Sequence, residues 1–154
     1  VSSKDWDESF IDRFKQSRKT EMVVAVWLLS RGNEVRVPQK TLRSDWSERM
    51  NHADEGDVIV NGKRCEVKGL RRNFELGKWP FPYALVCSKW SYDRSEKKPD
   101  VYFLVSGDHT CAAVIDVRAT RDRWKVVKQE DFERGETYDA YSIDPSLLQW
   151  YELK

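Results

Sequence analysis

The chain has 154 residues, 27 of them Lys or Arg and 26 Asp or Glu, for a net charge of +1. That length suits one domain with a proper core and is short for two, and 40% hydrophobic with 34% charged residues is the balance of a soluble globular protein. The longest apolar run, Met22 to Leu29, falls well short of the roughly 20 residues that cross a bilayer, so no membrane partner is expected. A near-zero charge balance gives no bulk attraction to nucleic acid, so any basic footprint must be local.

The opening Ser2-Ser3-Lys4-Asp5 shows no secretory or transit pattern. Cys65, Cys87 and Cys111 are odd in number, widely spaced and set among apolar neighbours. They read as reduced core residues, so the protein is expected to be cytoplasmic, or an intracellular viral or phage protein.

Phe10, Ile11 and Phe14 stand at helical spacing between Asp7 and Gln16. A stronger helix runs from Arg18 to Arg31, where Met22, Val23, Ala25, Val26, Leu28 and Leu29 cover most of the circumference. A helix apolar nearly all round is expected to be sandwiched inside its domain, and Gly32-Asn33 ends it. Glu34 to Val37 reads as a short strand stopped by Pro38, and Ser44 to Asn51 as a loop or short helix. Asp57 to Val60 and Lys63 to Gly69 are strands around Asn61-Gly62, a strong short-range hairpin signal. Tyr83 to Ser88 is a further apolar run. Val101 to Ser106 and Ala112 to Val117 form a second hairpin through Gly107-Asp108. A weak helical pattern covers Arg121 to Glu133, and a last element falls near Ser146 to Leu153. One long helix followed by several strands predicts an α/β or α+β domain with a mixed sheet.

The first hairpin carries the chemistry. With Asn61 and Gly62 as its two turn residues, Val60 faces Lys63, Val58 faces Cys65 and Asp57 faces Glu66. Alternation puts Val58, Val60, Cys65 and Val67 on one face and Asp57, Glu66 and Lys68 on the other. Opposed Cβ atoms lie about 4.5–5.5 Å apart, where like charges repel unless a cation sits between them. Neutralising Asp57 or Glu66 is therefore expected to stabilise the protein without metal. Oxygen-only ligation suits Mg²⁺ or Mn²⁺, and Lys68 could orient or deprotonate an attacking water. The alternative is an ordinary solvated sheet face. Glu21 shares the helix stripe of Val24, Ala25 and Leu28, where a carboxylate needs a partner or a metal, unless it is simply an exposed first-turn residue.

Taken together, these residues resemble the PD-(D/E)XK nuclease superfamily, well from Arg18 to about Gly69 and loosely beyond. The segment Glu21 to Gly32 is similar to its first core helix, Gly56-Asp57 stands where the family has Pro-Asp, and Glu66-Val67-Lys68 matches (D/E)-X-K. The resemblance implies a single α/β domain with a restriction-endonuclease-like αβββαβ core, a mixed sheet of about four strands and flanking helices. It also implies Mg²⁺- or Mn²⁺-dependent hydrolysis of DNA. Asp57, Glu66, Glu21 and the carbonyl of Val67 would hold the metal, and Lys68 would assist the nucleophile. Many members dimerise, which leaves a homodimer open.

Arg71, Arg72, Lys78 and Lys89 follow the catalytic strand and are candidates for holding DNA phosphates. Trp79-Pro80-Phe81-Pro82 could stack on bases or cover the core. His52 and His109 lack a Cys or His at zinc spacing, and no G-x-S-x-G, Walker or Rossmann pattern occurs. Competing readings are an inactive DNA-binding or scaffold protein of the same fold and an interaction module with an accidental motif.

Overall fold

The first helix, α1 (Glu8–Ser30), ends where its sequence changes character. Gly32 takes φ +86° and donates to the Leu29 carbonyl at 3.0 Å, while the Asn33 amide reaches back to Leu28 at 3.2 Å. That pair of reversed bonds closes the helix in a left-handed cap that favours glycine. The computed structural model describes residues 8–38, 57–131 and 135–153. The readings at Ser44 to Asn51, His52 and Gly56 fall outside the described residues, as does Phe10's side chain.

After α1 come β1 (Val35–Arg36), β2 (Val58–Val60), β3 (Lys63–Gly69), β4 (Ala84–Ser88), α2 (Lys89–Arg94), β5 (Val101–Val105) and β6 (Cys111–Asp116). They are followed by α3 (Val117–Thr120), β7 (Lys125–Asp131), β8 (Glu136–Ile143) and β9 (Gln149–Glu152). Six strands form the main sheet in the order β1-β2-β3-β5-β6-β9. Only β3 and β5 run parallel; the other neighbours are antiparallel. A second sheet, β4-β8-β7, is antiparallel throughout.

Alternation along the strands divides the apolar residues between two cores on either side of the main sheet. Val24, Ala25, Trp27 and Leu28 of α1 pack on Val58, Cys65, Val67 and Phe103. On the opposite face, Tyr102, Leu104 and Ile115 meet Val86, Tyr141 and Ile143 of the second sheet, together with Tyr92 of α2. Fully burying each such aliphatic or aromatic side chain contributes about 1.5–3 kcal/mol, so both interfaces hold the layers together. The result is one α/β domain with a mixed sheet and a few helices.

Several expectations need correcting. The outer stripe of α1 is exposed at Met22, Val26 and Leu29 (46%, 59% and 56%), so the helix packs on one side and is not sandwiched. Among the described residues the main sheet has six strands where about four were implied, and its second face is covered largely by another sheet. Phe132 and Glu133 lie outside the described residues, and as far as Asp131 the helical pattern from Arg121 is not a helix: a 3₁₀ turn at Arg121–Arg123 leads to β7. β8, its pairing partner, and α2 were not foreseen. A pattern with few apolar residues becomes a strand in β7 because β8 supplies a complete ladder from Lys125↔Ser142 to Asp131↔Glu136.

Candidate active site

The β2–β3 hairpin pairs as its turn residues dictate, with Val58↔Cys65, Ile59↔Arg64 and Val60↔Lys63. Asn61 and Gly62 take φ values of 49° and 81°, the left-handed pair that a two-residue turn demands. Asn61 also donates to the Asn33 side chain at 3.0 Å and accepts from the Glu34 amide at 2.9 Å, fastening the turn to the end of α1.

At its open end the hairpin departs from simple alternation. Asp57 is buried, and its Oδ2 accepts the backbone amide of Val67 at 2.8 Å. The Asp57 amide itself donates to the Cys65 carbonyl at 3.2 Å. The carboxylate therefore sits along the edge of β3, on the central residue of Glu66-Val67-Lys68, where β2 has ended and Val67 needs an acceptor. The N–H and C=O of one strand residue point to the same edge, so the Val67 carbonyl faces the Asp57 side too.

Glu66 and Lys68 occupy the opposite face from Cys65 and Val67, as alternation requires. Glu66 is half-buried beside Tyr102 on β5, and Lys68 lies beside Leu104. The Lys68 amine donates to the Val86 carbonyl and lies 5.4 Å from the centre of the Tyr102 ring. Burial lowers its pKa from the usual lysine value, and nearby Cys87 and the Glu66 and Asp57 carboxylates oppose that shift. Burial also pushes up the Cys87 thiol and the Tyr102 hydroxyl.

Glu21 is 1% exposed, on the stripe with Val24, Ala25 and Leu28. Its carboxylate accepts from Arg18 at 2.9 Å and Ser17 at 3.2 Å, which offsets the cost of burying it. Its neighbour Thr20 lies against β3: a Cβ on Gly69 would come within 3.1 Å of the Thr20 hydroxyl. Thr20 donates to the Gln16 carbonyl at 3.0 Å, so the 3.0 Å contact with His109 Nε2 makes that ring nitrogen the donor. Thus α1 is pinned to the end of β3 and to the β5–β6 turn. Among the described residues, no three His, Cys, Asp or Glu side chains gather as a metal-holding group.

Beyond Lys68 opens a cleft of about 1550 Å³, lined by β3, the following loop, α2 and the second sheet. Arg71 lines it, and Arg72 lies 5.5 Å from the centre of the Phe81 ring. The loop carrying both is tied to the main sheet: Leu70 donates to Val105 at 2.9 Å, Gly107 to Arg72 at 3.1 Å and Phe74 to the Ser106 hydroxyl at 2.9 Å. Trp79 packs on Phe74 and Phe81 at centroid separations of 5.3 and 5.9 Å, so its segment covers the core and reaches the cleft. Lys78 is paired with Glu75 at 3.0 Å and Lys89 with Asp93 at 2.6 Å. Those two candidate phosphate contacts are engaged by acids on their own segments.

Sequence reasoning missed Tyr102, the Val86 carbonyl and Cys87, which surround the Lys68 amine. They reach it through the β3–β5 register and the second sheet, and no local pattern signals either.

No family model, curated protein or solved structure matches the chain.

Proposed function

We propose that the chain is a divalent-metal-dependent nuclease that hydrolyses DNA phosphodiester bonds, with a restriction-endonuclease-like core. The observation that carries this reading is the clamp at Glu66-Val67-Lys68, where the buried Asp57 carboxylate accepts the middle residue's amide at 2.8 Å and Lys68 lines the adjoining cleft. The chain order supports the same architecture: α1, antiparallel β1 to β3, then a crossover through β4 and α2 to parallel β5.

The donor set fits a hard cation. Asp57, Glu66 and the Val67 carbonyl offer oxygen only, and Mg²⁺ is commonly held by one or two carboxylates with water and substrate phosphate completing its shell. A three-acid cluster is not required. When bound, such an ion polarises the phosphate and lowers the pKa of a bound water. Lys68 holds its amine in a partly desolvated site, which lowers its pKa and so raises the share of neutral amine able to accept a proton from an attacking water. Glu21, already bonded to Arg18 and Ser17, would act through water. Arg71 holds a phosphate at the cleft entrance.

The test is incubation of linear, circular and single-stranded DNA with the protein in Mg²⁺, Mn²⁺ or EDTA, beside Glu66→Gln and Lys68→Met proteins. Metal-dependent cleavage lost in both variants supports the nuclease. Tight binding without cleavage supports an inactive DNA-binding or scaffold protein of the same fold, a reading that draws on the Arg18–Glu21 pair.

A further inference from the structure

Phe81, Tyr83, Trp90 and Tyr138 line the cleft beyond Lys68 and are 41%, 37%, 61% and 39% exposed. So many aromatic faces in one groove need an occupant, because large exposed apolar surface is rare unless it binds something. Two of these rings already carry guanidinium groups. Arg94 lies 4.1 Å from the centre of the Trp90 ring and Arg72 lies 5.5 Å from that of Phe81. Cations and open rings side by side suit a strand whose phosphates meet the charges and whose bases stack on the rings.

The charge across the cleft decides between one strand and two. Lys68 and Arg71 line the side built from β3 and its following loop, while Glu130 and Glu136 line the side built from β7 and β8. A duplex brings phosphates on both its strands and keeps its base faces inside the stack. An acidic wall repels the second backbone, and the open rings would find no base face to stack on. A single strand satisfies both walls, with its phosphates on the basic side and its bases turned inward.

We infer that this cleft binds single-stranded DNA by base stacking and leads it to Lys68, so the substrate is an unpaired strand or the unpaired part of a larger molecule. This deepens the nuclease reading and rests on it for the cleavage step alone. The test is fluorescence anisotropy in EDTA with three labelled oligonucleotides of equal length: single-stranded, blunt duplex, and single-stranded with consecutive abasic sites. The intact single strand is expected to bind at least about tenfold more tightly than either other form. Trp90→Ala and Phe81→Ala should each weaken it roughly 5- to 100-fold, with unchanged circular dichroism and little effect on the duplex. Equal or tighter duplex binding overturns the inference, as does an abasic strand that binds like the intact one. A preference for single strands in a protein that cleaves nothing in Mg²⁺ or Mn²⁺ removes the nuclease reading and leaves the cleft's ligand standing. Duplex cleavage without that preference does the reverse.

Discussion

The Asp57 carboxylate and the Val67 amide meet at 2.8 Å, joining the first acid of the site to the backbone of the strand that carries the second. The bond is buried, and it gives Asp57 a structural role beside the chemical one proposed for it. Asp57→Ala should leave the Val67 amide without an acceptor and cost about 1–3 kcal/mol, whereas Asp57→Asn keeps an oxygen there and should cost less. Urea denaturation without metal separates the two. An Ala variant as stable as the wild type would show that water replaces the bond. The expected gain from relieving charge repulsion belongs to Asp57→Asn, which keeps the acceptor, and the same urea series gives its sign.

Lys68 carries the opposite balance. Burial lowers its folded-state pKa below the ordinary lysine value, so the folded protein holds the proton on Lys68 less tightly than the unfolded chain does. Its site is most stable above the unfolded pKa, and that stability is lost as pH falls through the folded pKa. Lys68→Met should accordingly raise the melting temperature at pH 7 and abolish cleavage. The gain should fade as pH approaches 10.5, the unfolded value. A melting temperature below wild type at neutral pH would mean that the bonds to Val86 and Tyr102 outweigh the desolvation.

How much of this was legible follows from how local each signal is. Asn61-Gly62 set the hairpin register, and the register put Glu66 and Lys68 on one face with Cys65 and Val67 on the other. Glu21's place on a buried stripe was equally readable, because helical periodicity is local. Asp57 followed the rule less well: it stands where β2 ends, and its side chain serves an edge amide that alternation does not describe. Tyr102 and Val86 reach Lys68 through a parallel crossover and a second sheet, whose long-range pairings leave no periodic trace. The ion pairs at Lys78 and Lys89 were equally hidden. A lysine's partner three or four residues away can be read as spacing, but spacing does not say whether the pair closes.

Gly107 tests whether the loop after β3 must be held in place. A Cβ there would lie 2.7 Å from the Arg71 carbonyl and from Asn73 Oδ1, inside any tolerable contact. Gly107→Ala must push the segment carrying Arg71 and Arg72 away and lengthen the bond to the Arg72 carbonyl. Overpacking of this kind typically costs about 1–3 kcal/mol. Since the displaced residues are the ones proposed to hold phosphate and not to meet the reacting atoms, DNA affinity should fall with a smaller change in kcat. A kcat loss as large as that of Lys68→Met would place the loop in the chemical step.

The three cysteines offer a probe of the site that needs no activity. Cys65 is buried under α1, and burial, helped by the charges of Asp100 and Glu66, pushes its thiol up to about 12. Cys111 is buried and donates to the Phe74 carbonyl at 3.3 Å. Cys87 is half-buried, lines the cleft and has the Lys68 amine near enough to oppose the upward push of burial. Thiolate fraction and access both set the rate of alkylation, so Cys87 should react first with a small maleimide at pH 8, with Cys65 and Cys111 following only on unfolding. Single-stranded DNA occupying the cleft should slow the Cys87 reaction and leave the other two unchanged, as peptide mapping after timed labelling would show. Labelling of Cys65 at a comparable rate would mean that α1 lifts from the sheet in the native state. A Cys87 rate indifferent to bound DNA would place the nucleic acid elsewhere on the protein.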